Sequence, residues 1–536
     1  MITRRQGLKG AAAVILASAT GNGFLGAARA QSREDTLRQV MGGAVSTLDP
    51  TTPGSTREAY GVAMGVYDRL ARFEVREIDG NPFYDFRSIT GELADKIERL
   101  DNDKRFVFHI REDALWHDGT PVTAEDVKWS LDRHVSAKTL ATAQLATGSL
   151  TKPEQFRIVG NRSVEVLNET GDRLALANTC VPYAIMINST LAKRNATTDD
   201  PWAVGWLKDN AAAGGAYMVE SFQSSRSVTL RRNDSWKNGA MPFFQRVVVQ
   251  TVPEVSTRMN LIQRGGADIC LDLQAIDVAN IANESQLNVI SIPLANAFQA
   301  LVFNNRLAPF DNLKVRQAIA AALPYESIYQ ASVFGRGRPL YGATWSSPPD
   351  ASFPQPFPQN LNIDAAKQLM AEAGLASGFA TTFSYPTAYA PIADPMSALI
   401  KEALAKINIE VTIQKLPDAQ FSTLEVERRM PFFMESGTAW LPSTDYFYRT
   451  FLTGDQRWNW SGYDNKEIAE LVQKLRFETD PERYEVGCRR LIELSAKDTP
   501  MVYLWQPNLD VVMNSQLSGF TYWPHRQVDY RDIKRG

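Results

Sequence analysis

The chain has 536 residues, of which 44% are hydrophobic and 22% charged, and this length is enough for about three folding units. This composition is typical of a globular protein and excludes collagen-like, disordered and polytopic membrane proteins. Lysine plus arginine (57) nearly balances aspartate plus glutamate (60), so we expect no nucleic-acid partner. With four histidines and three cysteines, a zinc-like metal site has few candidate ligands, although a carboxylate-bound cation stays open. We therefore expect no cofactor, and we interpret the cysteines as buried small side chains.

The first thirty residues are typical of an export signal. Arg4, Arg5 and Lys9 precede an apolar run at 11–17, and an Ala-Arg-Ala sequence stands at 28–30. This order predicts a signal peptide that is cleaved after Ala30, which would leave a mildly acidic periplasmic protein. The paired arginines also fit the twin-arginine pattern, so both the Tat and the Sec route stay open.

Strand and helix signals alternate along the rest of the chain. Residues 105–110 are rich in β-branched and aromatic side chains and predict a strand, and Thr123 to Asp126 fits a capping box that opens a helix. Asp364 is the expected N-cap of a helix that ends before Gly374. Further strands are predicted at 227–233, 246–252, 299–304, 409–416 and 431–440, and further helices at 255–264, 313–323 and 481–497. The alternation predicts α/β lobes with mixed sheets.

Five motifs follow one another along the chain: Ser46–Pro50 with Val66–Leu70, Phe106–Arg111 with Trp116–Leu131, Gly214–Tyr217 continuing to Ile269, Pro309–Ile319, and Ala365–Gly374. In this order they resemble the periplasmic solute-binding proteins that serve oligopeptide- and dipeptide-type ABC importers, family 5 of the extracellular solute-binding proteins. The resemblance spans nearly the whole chain after the signal segment.

The resemblance implies an α/β fold of two lobes with mixed sheets, the periplasmic-binding-protein fold, with an extra subdomain inserted in the first lobe. It assigns 31–62, 185–298 and 504–536 to lobe I, 63–184 to the inserted subdomain and 299–503 to lobe II. The implied function is to capture a small solute by lobe closure and to deliver it to the transmembrane subunits of an ABC permease. We expect a monomer that contacts the membrane only through that permease.

The resemblance also points to ligand-binding residues. In the family's peptide binders a strand ending in Gly-Trp pairs with an extended ligand, and an Asp three residues after the Trp anchors the ligand's amine. Here the corresponding strand reads Gly437-Thr438-Ala439-Trp440, and Ser443 stands where that Asp would be. Burying an ammonium group without a carboxylate partner is costly. The hypothesis is that Asp445 replaces the missing anchor or that the ligand is something other than a standard peptide.

Other candidate contacts are less specific. Trp440 is expected to form a wall of the site, because an indole face suits sugar, apolar or cationic groups. By resemblance, Asn304 and the segment 51–56 lie near the cleft, with Thr51 and Ser55 as its candidate ligand contacts.

Enzyme motifs are weak by comparison. The chain has no Gly-x-Ser-x-Gly elbow and no His-Glu-x-x-His helix, and its Ser-x-x-Lys at 149–152 is followed by Pro153, which disfavours the helical conformation that this motif needs. The adjacent His117 and Asp118 point different ways and are not a catalytic pair. We therefore predict a binding protein without catalytic residues, and a periplasmic hydrolase or a sensory or chaperone protein on the same lobes stays the alternative.

Overall fold

A computed structural model describes residues 33–78 and 80–536. The predicted signal peptide lies outside these residues. The strands are β1 (Thr36–Met41), β2 (Ala71–Ile78), β3 (Asn81–Gly91), β4 (Ala94–Leu100), β5 (Arg105–Ile110), β6 (Phe156–Gly160), β7 (Ser163–Leu167), β8 (Tyr217–Gln223), β9 (Ser227–Arg232), β10 (Arg246–Thr251), β11 (Ile269–Cys270), β12 (Leu287–Pro293), β13 (Ala297–Phe303), β14 (Arg338–Pro339), β15 (Phe379–Pro386), β16 (Ile409–Leu416), β17 (Phe432–Thr438), β18 (Met501–Gln506), β19 (Asn508–Asn514), β20 (Leu517–Ser518) and β21 (Lys534–Arg535).

Helices alternate with these strands. They are α1 (Arg57–Val66), α2 (Ala124–Ser136), α3 (Leu140–Ala146), α4 (Ser189–Arg194), α5 (Val204–Leu207), α6 (Val255–Gln263), α7 (Ala275–Ile281), α8 (Leu313–Ala322), α9 (Tyr325–Val333), α10 (Ile363–Glu372), α11 (Ala390–Ala405), α12 (Asp418–Val426), α13 (Thr444–Phe451), α14 (Lys466–Arg476) and α15 (Pro481–Asp498). The predicted alternation of strands and helices is confirmed.

Two large mixed sheets organise the chain. The first has the order β12-β19-β11-β1-β10-β9-β8, with β1 parallel to β10 and β11. The second has the order β14-β18-β13-β17-β15-β16, with β15 parallel to β16 and β17. A four-stranded antiparallel sheet, β4-β5-β7-β6, lies in the stretch of chain between β1 and β8. The predicted α/β fold with mixed sheets is therefore confirmed.

The chain crosses between the two large sheets twice. It leaves the first sheet after β12 and enters the second at β13, and it returns between β18 and β19. The two crossovers lie side by side, because the Leu294 N–H donates to the Pro507 carbonyl over 2.9 Å and the Gln506 side-chain amide donates to the Leu294 carbonyl over 3.0 Å. They fall at 294–296 and at 507, a few residues from the expected limits of 298 and 503. The division into lobes and inserted subdomain stays a prediction.

Local sequence signals explain how several elements begin and end. Thr123 and Asp126 form the expected capping box at α2, each side chain accepting the other's backbone N–H over 3.1–3.2 Å. Helix α10 corrects one expectation, because Asn362 rather than Asp364 is its N-cap and accepts the Ala365 N–H over 3.0 Å. Asp364 instead stands in the first turn of the helix. There its negative charge interacts favourably with the helix dipole, but it does not cap the helix.

Strand β13 forms the centre of the second sheet. All seven of its residues are buried, as expected for a strand covered on both faces. Phe298 on this strand contacts Phe353, Phe451 and Tyr503 with ring centroids 5.2–5.7 Å apart. This aromatic cluster leaves no room for a side chain at Gly437 on the neighbouring strand, where a Cβ would lie 2.2 Å from the Phe298 ring.

Candidate functional site

A cavity of about 310 Å³ lies between the chain segments of the two large sheets. The end of β17 contributes one side, and the start of α1 and the C-terminal segment contribute the other. Its lining residues are Ser55, Arg57, Tyr60, Tyr183, Thr438, Trp440 and Pro524. The cavity has the size of a small-molecule site.

Three aromatic side chains form one wall of this cavity. The ring of Trp440 lies edge-on to Tyr60 and to Tyr183, with centroids 5.1 Å apart in both pairs. The two tyrosine hydroxyls are 2.8 Å apart and hydrogen-bond to each other. Burial raises the pKa of both phenols, so they are neutral at physiological pH and can donate a hydrogen bond as well as accept one.

The strand end that carries Trp440 is held by the first crossover. Asn296 accepts the Ala439 N–H over 3.0 Å through its carbonyl and donates its side-chain amide to the Ala439 carbonyl over 2.6 Å. The Ala439 N–H is therefore already used within the protein and is not available to an extended ligand strand, while its carbonyl oxygen keeps a second lone pair. Of the predicted strand residues, Thr438 and Trp440 line the cavity, whereas Gly437 and Ala439 do not.

Asp445 and Ser443 lie outside the cavity lining. Asp445 is 1% exposed, and one of its carboxylate oxygens accepts the hydroxyls of Ser443 and Tyr484, both over 2.7 Å. Its other oxygen has no hydrogen-bond partner among the described residues. The Arg173 guanidinium stacks 3.7 Å from the centre of the Tyr484 ring. The role of Asp445 as an amine anchor therefore stays a prediction.

The three remaining candidates occupy different environments. The Thr51 hydroxyl bonds to the buried pair formed by Asp49 and Arg133. Asn304 follows the end of β13 remote from the cavity, and its amide donates to two backbone carbonyls. Ser55 lines the cavity, and its buried hydroxyl has no hydrogen-bond partner among the residues the structure describes. Of these three, only Ser55 lies at the cavity.

Sequence reasoning missed one arginine that lines the cavity and a second that hydrogen-bonds to a lining residue. Arg57 lines it from the start of α1, and Arg526 donates from one terminal nitrogen to the Thr438 hydroxyl over 3.0 Å. Burial, with a smaller contribution from the Arg57 charge, lowers the pKa of Arg526 to about 9. The position of Arg57 beside the segment 51–56 was a usable signal, whereas Arg526 lies in an irregular segment without a motif.

A further set of contacts joins the region of the four-stranded sheet to α13, α14 and the residues after α14, which the sequence assigns to lobe II. The Arg476 guanidinium donates to Asp172 over 2.6 Å and to the Ser149 hydroxyl over 2.9 Å. Arg449 donates to the Thr147 carbonyl over 3.0 Å, and Arg173 donates to the Glu478 carbonyl over 2.7 Å. We call the contacts of Arg476 with Asp172 and Ser149 the interlobe latch.

Residues 33–78 and 80–536 contain neither a metal-binding cluster nor a membrane-spanning helix. No group of three or more His, Cys, Asp or Glu side chains in this part of the chain could hold a metal ion. No helix within it is long and apolar enough to cross a membrane. The three cysteines are free and buried, and burial raises the pKa of each thiol to about 12. They are the buried small side chains that the sequence predicted.

Comparison with known proteins identifies the class. The family model for bacterial extracellular solute-binding proteins, family 5, middle part, matches residues 88–459. The probable D,D-dipeptide-binding periplasmic protein DdpA of Escherichia coli strain K12 is 23% identical over 499 residues, which cover 89% of this chain and 90% of that protein.

Solved structures show the same fold. DppA of Helicobacter pylori in complex with the peptide STSA has a TM-score of 0.74 at 19% identity, covering 93% of this chain and 98% of that one. AgaA of A. tumefaciens R10 in complex with agropinic acid has a TM-score of 0.73 at 23% identity, covering 94% and 99%.

The fold is thus that of a two-lobed solute-binding protein. Proteins of this class bind small ligands and work with the permease components of ABC transporters. The chain belongs to family 5 of the bacterial extracellular solute-binding proteins. The expected family and the two-lobed α/β fold are confirmed, and the family is one of binding proteins rather than enzymes.

Proposed function

We propose that this chain captures a small solute in the periplasm and hands it, chemically unchanged, to the transmembrane subunits of an ABC permease. The cavity between the lobes supports this proposal best, because both lobes contribute to its walls. A site assembled from two lobes gives its ligand more contacts when the lobes are together than when they are apart. A ligand with such differential contacts shifts the open–closed equilibrium toward the closed state.

The two adjacent crossovers supply the hinge of this motion. Their mutual hydrogen bonds lie within the crossover segments themselves and can persist while the lobes rotate. Hinges of this kind absorb closure in a few residues at the ends of regular elements. A ligand that binds with micromolar Kd supplies about 8 kcal/mol, which is enough to favour closure if most contacts require both lobes.

The proposal extends to how the protein reaches its place of action. Residues 1–30 would direct export by the Tat or the Sec route and would be removed after Ala30. The mature chain would act as a monomer with the two lobes and the inserted subdomain at the predicted boundaries. No catalytic step is part of this function.

The ligand is proposed to be a peptide or another small solute. Names of relatives support both classes, since DppA was solved with a peptide and AgaA with agropinic acid. In this proposal Trp440, Thr438 and Ser55 contact the ligand, while Asp445 would do so only after a rearrangement of its hydrogen bonds with Ser443 and Tyr484.

Titration of di- and tripeptides, followed by tryptophan fluorescence, tests the proposal. Wild type and Asp445→Ala are compared, and chromatography checks that each peptide is recovered unchanged. A binder gives a saturable signal without turnover, whereas formation of a product would contradict the proposal. Tight peptide binding that Asp445→Ala leaves unaltered would refute both branches of the Asp445 hypothesis.

A further inference from the structure

The two arginines at the cavity have no acidic partner. Arg57 and Arg526 form no ion pair within 4.0 Å with any residue in the described part of the chain. Arg526 donates to neutral oxygens of Thr438 and Asn296, and its side chain also hydrogen-bonds with the neutral Tyr522 hydroxyl. Its Nε atom is buried and unbonded among the described residues. The site therefore holds two positive charges that the protein itself does not neutralise.

The acidic residues that lie near the two arginines in sequence make other contacts. Glu58 follows Arg57 in sequence, but its carboxylate lies over Gly43, where a Cβ would come within 1.9 Å of a carboxylate oxygen. Asp529 follows Arg526 closely and forms a two-pronged ion pair with Arg531 over 2.6–3.1 Å. None of the described residues that line the cavity is acidic. The Arg57 charge has the smallest of the named effects on the pKa of Glu58, and among the described residues neither carboxylate forms an ion pair within 4.0 Å with Arg57 or Arg526.

Arg57 and Arg526 are both half-buried. Withdrawing a cation from water without a counter-charge is unfavourable, so a cleft that holds two such cations is suited to a ligand that brings the counter-charge. A guanidinium presents several N–H donors in a plane that matches the two oxygens of a carboxylate. The unpaired Ser55 hydroxyl at the same cavity can donate one more hydrogen bond. The wall formed by Tyr60, Tyr183 and Trp440 offers apolar and aromatic surface to the rest of the ligand.

We propose that Arg57 and Arg526 form an oxyanion subsite, and that the solute carried by this protein is an organic carboxylate that needs no free amine. This inference rests on the proposed function and names the chemical class of its ligand. A phosphate monoester presents similar oxygens, and the test below separates it from a carboxylate. The absence of acidic groups from the cavity lining explains why an amine is not required.

The test uses four probes that all carry a phenyl ring and differ in charge. N-acetyl-phenylalanine carries a carboxylate and no amine, and N-acetyl-phenylalanine amide carries no charge. Phenylalanine amide carries an amine and no carboxylate, and phenyl phosphate carries a phosphate in place of the carboxylate. Binding is followed by tryptophan fluorescence on the full mature chain. We expect N-acetyl-phenylalanine to bind at least about tenfold more tightly than either amide and more tightly than phenyl phosphate.

Variants assign the preference to the arginines. Arg57→Gln and Arg526→Gln are each expected to remove most of the difference between acid and amide, and Arg57→Lys to retain part of it. The control is Arg226→Gln, because Arg226 is exposed on the turn between β8 and β9, and it is expected to bind like wild type. Thermal unfolding verifies folding, and Arg57→Gln should not lower the unfolding midpoint, since the charge that it removes is unpaired.

Several results would overturn the inference. These are equal binding of acid and amide by wild type, a preference for acid that survives in both glutamine variants, tighter binding of phenyl phosphate than of the acid, or no saturable binding of the acid at tens of millimolar. If a neutral or cationic probe binds instead, the inference fails while the proposed function stands. If no probe of any charge binds and the natively purified protein releases no solute on denaturation, the proposed function fails as well.

Discussion

The interlobe latch makes the coupling between lobe closure and affinity measurable. Arg476→Met keeps most of the side-chain volume but removes the ion pair with Asp172 and the hydrogen bonds to the Ser149 hydroxyl and the Ala146 carbonyl. Arg476 is 19% exposed and the Asp172 side chain is fully buried, so little of their interaction is screened by solvent. In the variant Asp172 still accepts hydrogen bonds from the Leu174 N–H over 3.0 Å and from the Ser149 hydroxyl over 2.8 Å. These remaining bonds reduce the loss of stability.

The size of the effect follows from these contacts. Charge-assisted hydrogen bonds of this kind contribute about 1.5–3 kcal/mol, and after allowing for the partners that Asp172 keeps we expect the closed state to lose about 2 kcal/mol. When the lobes separate, water solvates Asp172 in both proteins, so the loss falls mainly on the closed state. Ligand affinity is therefore expected to decrease roughly 30-fold.

The measurement is calorimetric titration of wild type and Arg476→Met with the same bound solute or probe, together with small-angle scattering of the empty proteins. The control Arg490→Met on α15 removes two exposed ion pairs, with Glu467 over 2.7 Å and with Glu493 over 2.8 Å, and each pair of this kind contributes about 0–1 kcal/mol. Arg490→Met should bind about as well as wild type. Unchanged affinity in a correctly folded Arg476→Met would refute the view that the latch forms in the bound state.

Three further predictions concern stability. Gly437→Ala should destabilise the protein by about 1–3 kcal/mol, because the added Cβ would lie 2.2 Å from the Phe298 ring; an unaltered denaturant midpoint would contradict this packing. Burial raises the pKa of Glu435 well above its usual value, so the folded protein keeps a proton that the unfolded chain releases above roughly pH 4. Stability is then lost as the pH rises. Glu435→Gln should therefore raise the thermal midpoint at neutral pH but not at pH values below roughly 4. An equal shift at both pH values would contradict a protonated Glu435 in the folded protein. Asn362→Ala should lower the free energy of unfolding by about 1 kcal/mol, and Asp364→Ala should lower it by about half of that or less. Urea unfolding measures both losses, and the reverse order would show that Asp364 is the N-cap.

The sequence predicted elements whose signals are local. The capping box at Thr123 depends on residues three positions apart, and the helix that ends before Gly374 depends on a glycine at positive φ, which the structure has at +73°. The N-cap of α10 shows the limit of such signals. Asn362 and Asp364 are both good capping residues two positions apart, and the backbone conformation at Asn362, φ −151° and ψ 91°, decides between them.

The site was only half predictable for a different reason. Trp440 and Ser55 lie next to recognisable motifs, and both line the cavity. Arg57 and Arg526 meet only because α1 and the C-terminal segment converge on β17, and no local pattern encodes a contact between the two ends of a chain. The hydrogen bonds of Thr51 with the buried pair Asp49 and Arg133 could not be predicted either. The sequence does not show whether a threonine hydroxyl supports a buried ion pair or faces a ligand.

Native mass spectrometry of the mature protein purified from its own host tests the central claim most directly, that a solute binds reversibly between the two lobes. We expect one small molecule per chain, released on denaturation with an unchanged mass and able to bind again to the emptied protein with a fluorescence signal from its tryptophans. A chain that carries no solute and binds none from the host's extract, or a recovered compound whose mass has changed after incubation, would contradict the account.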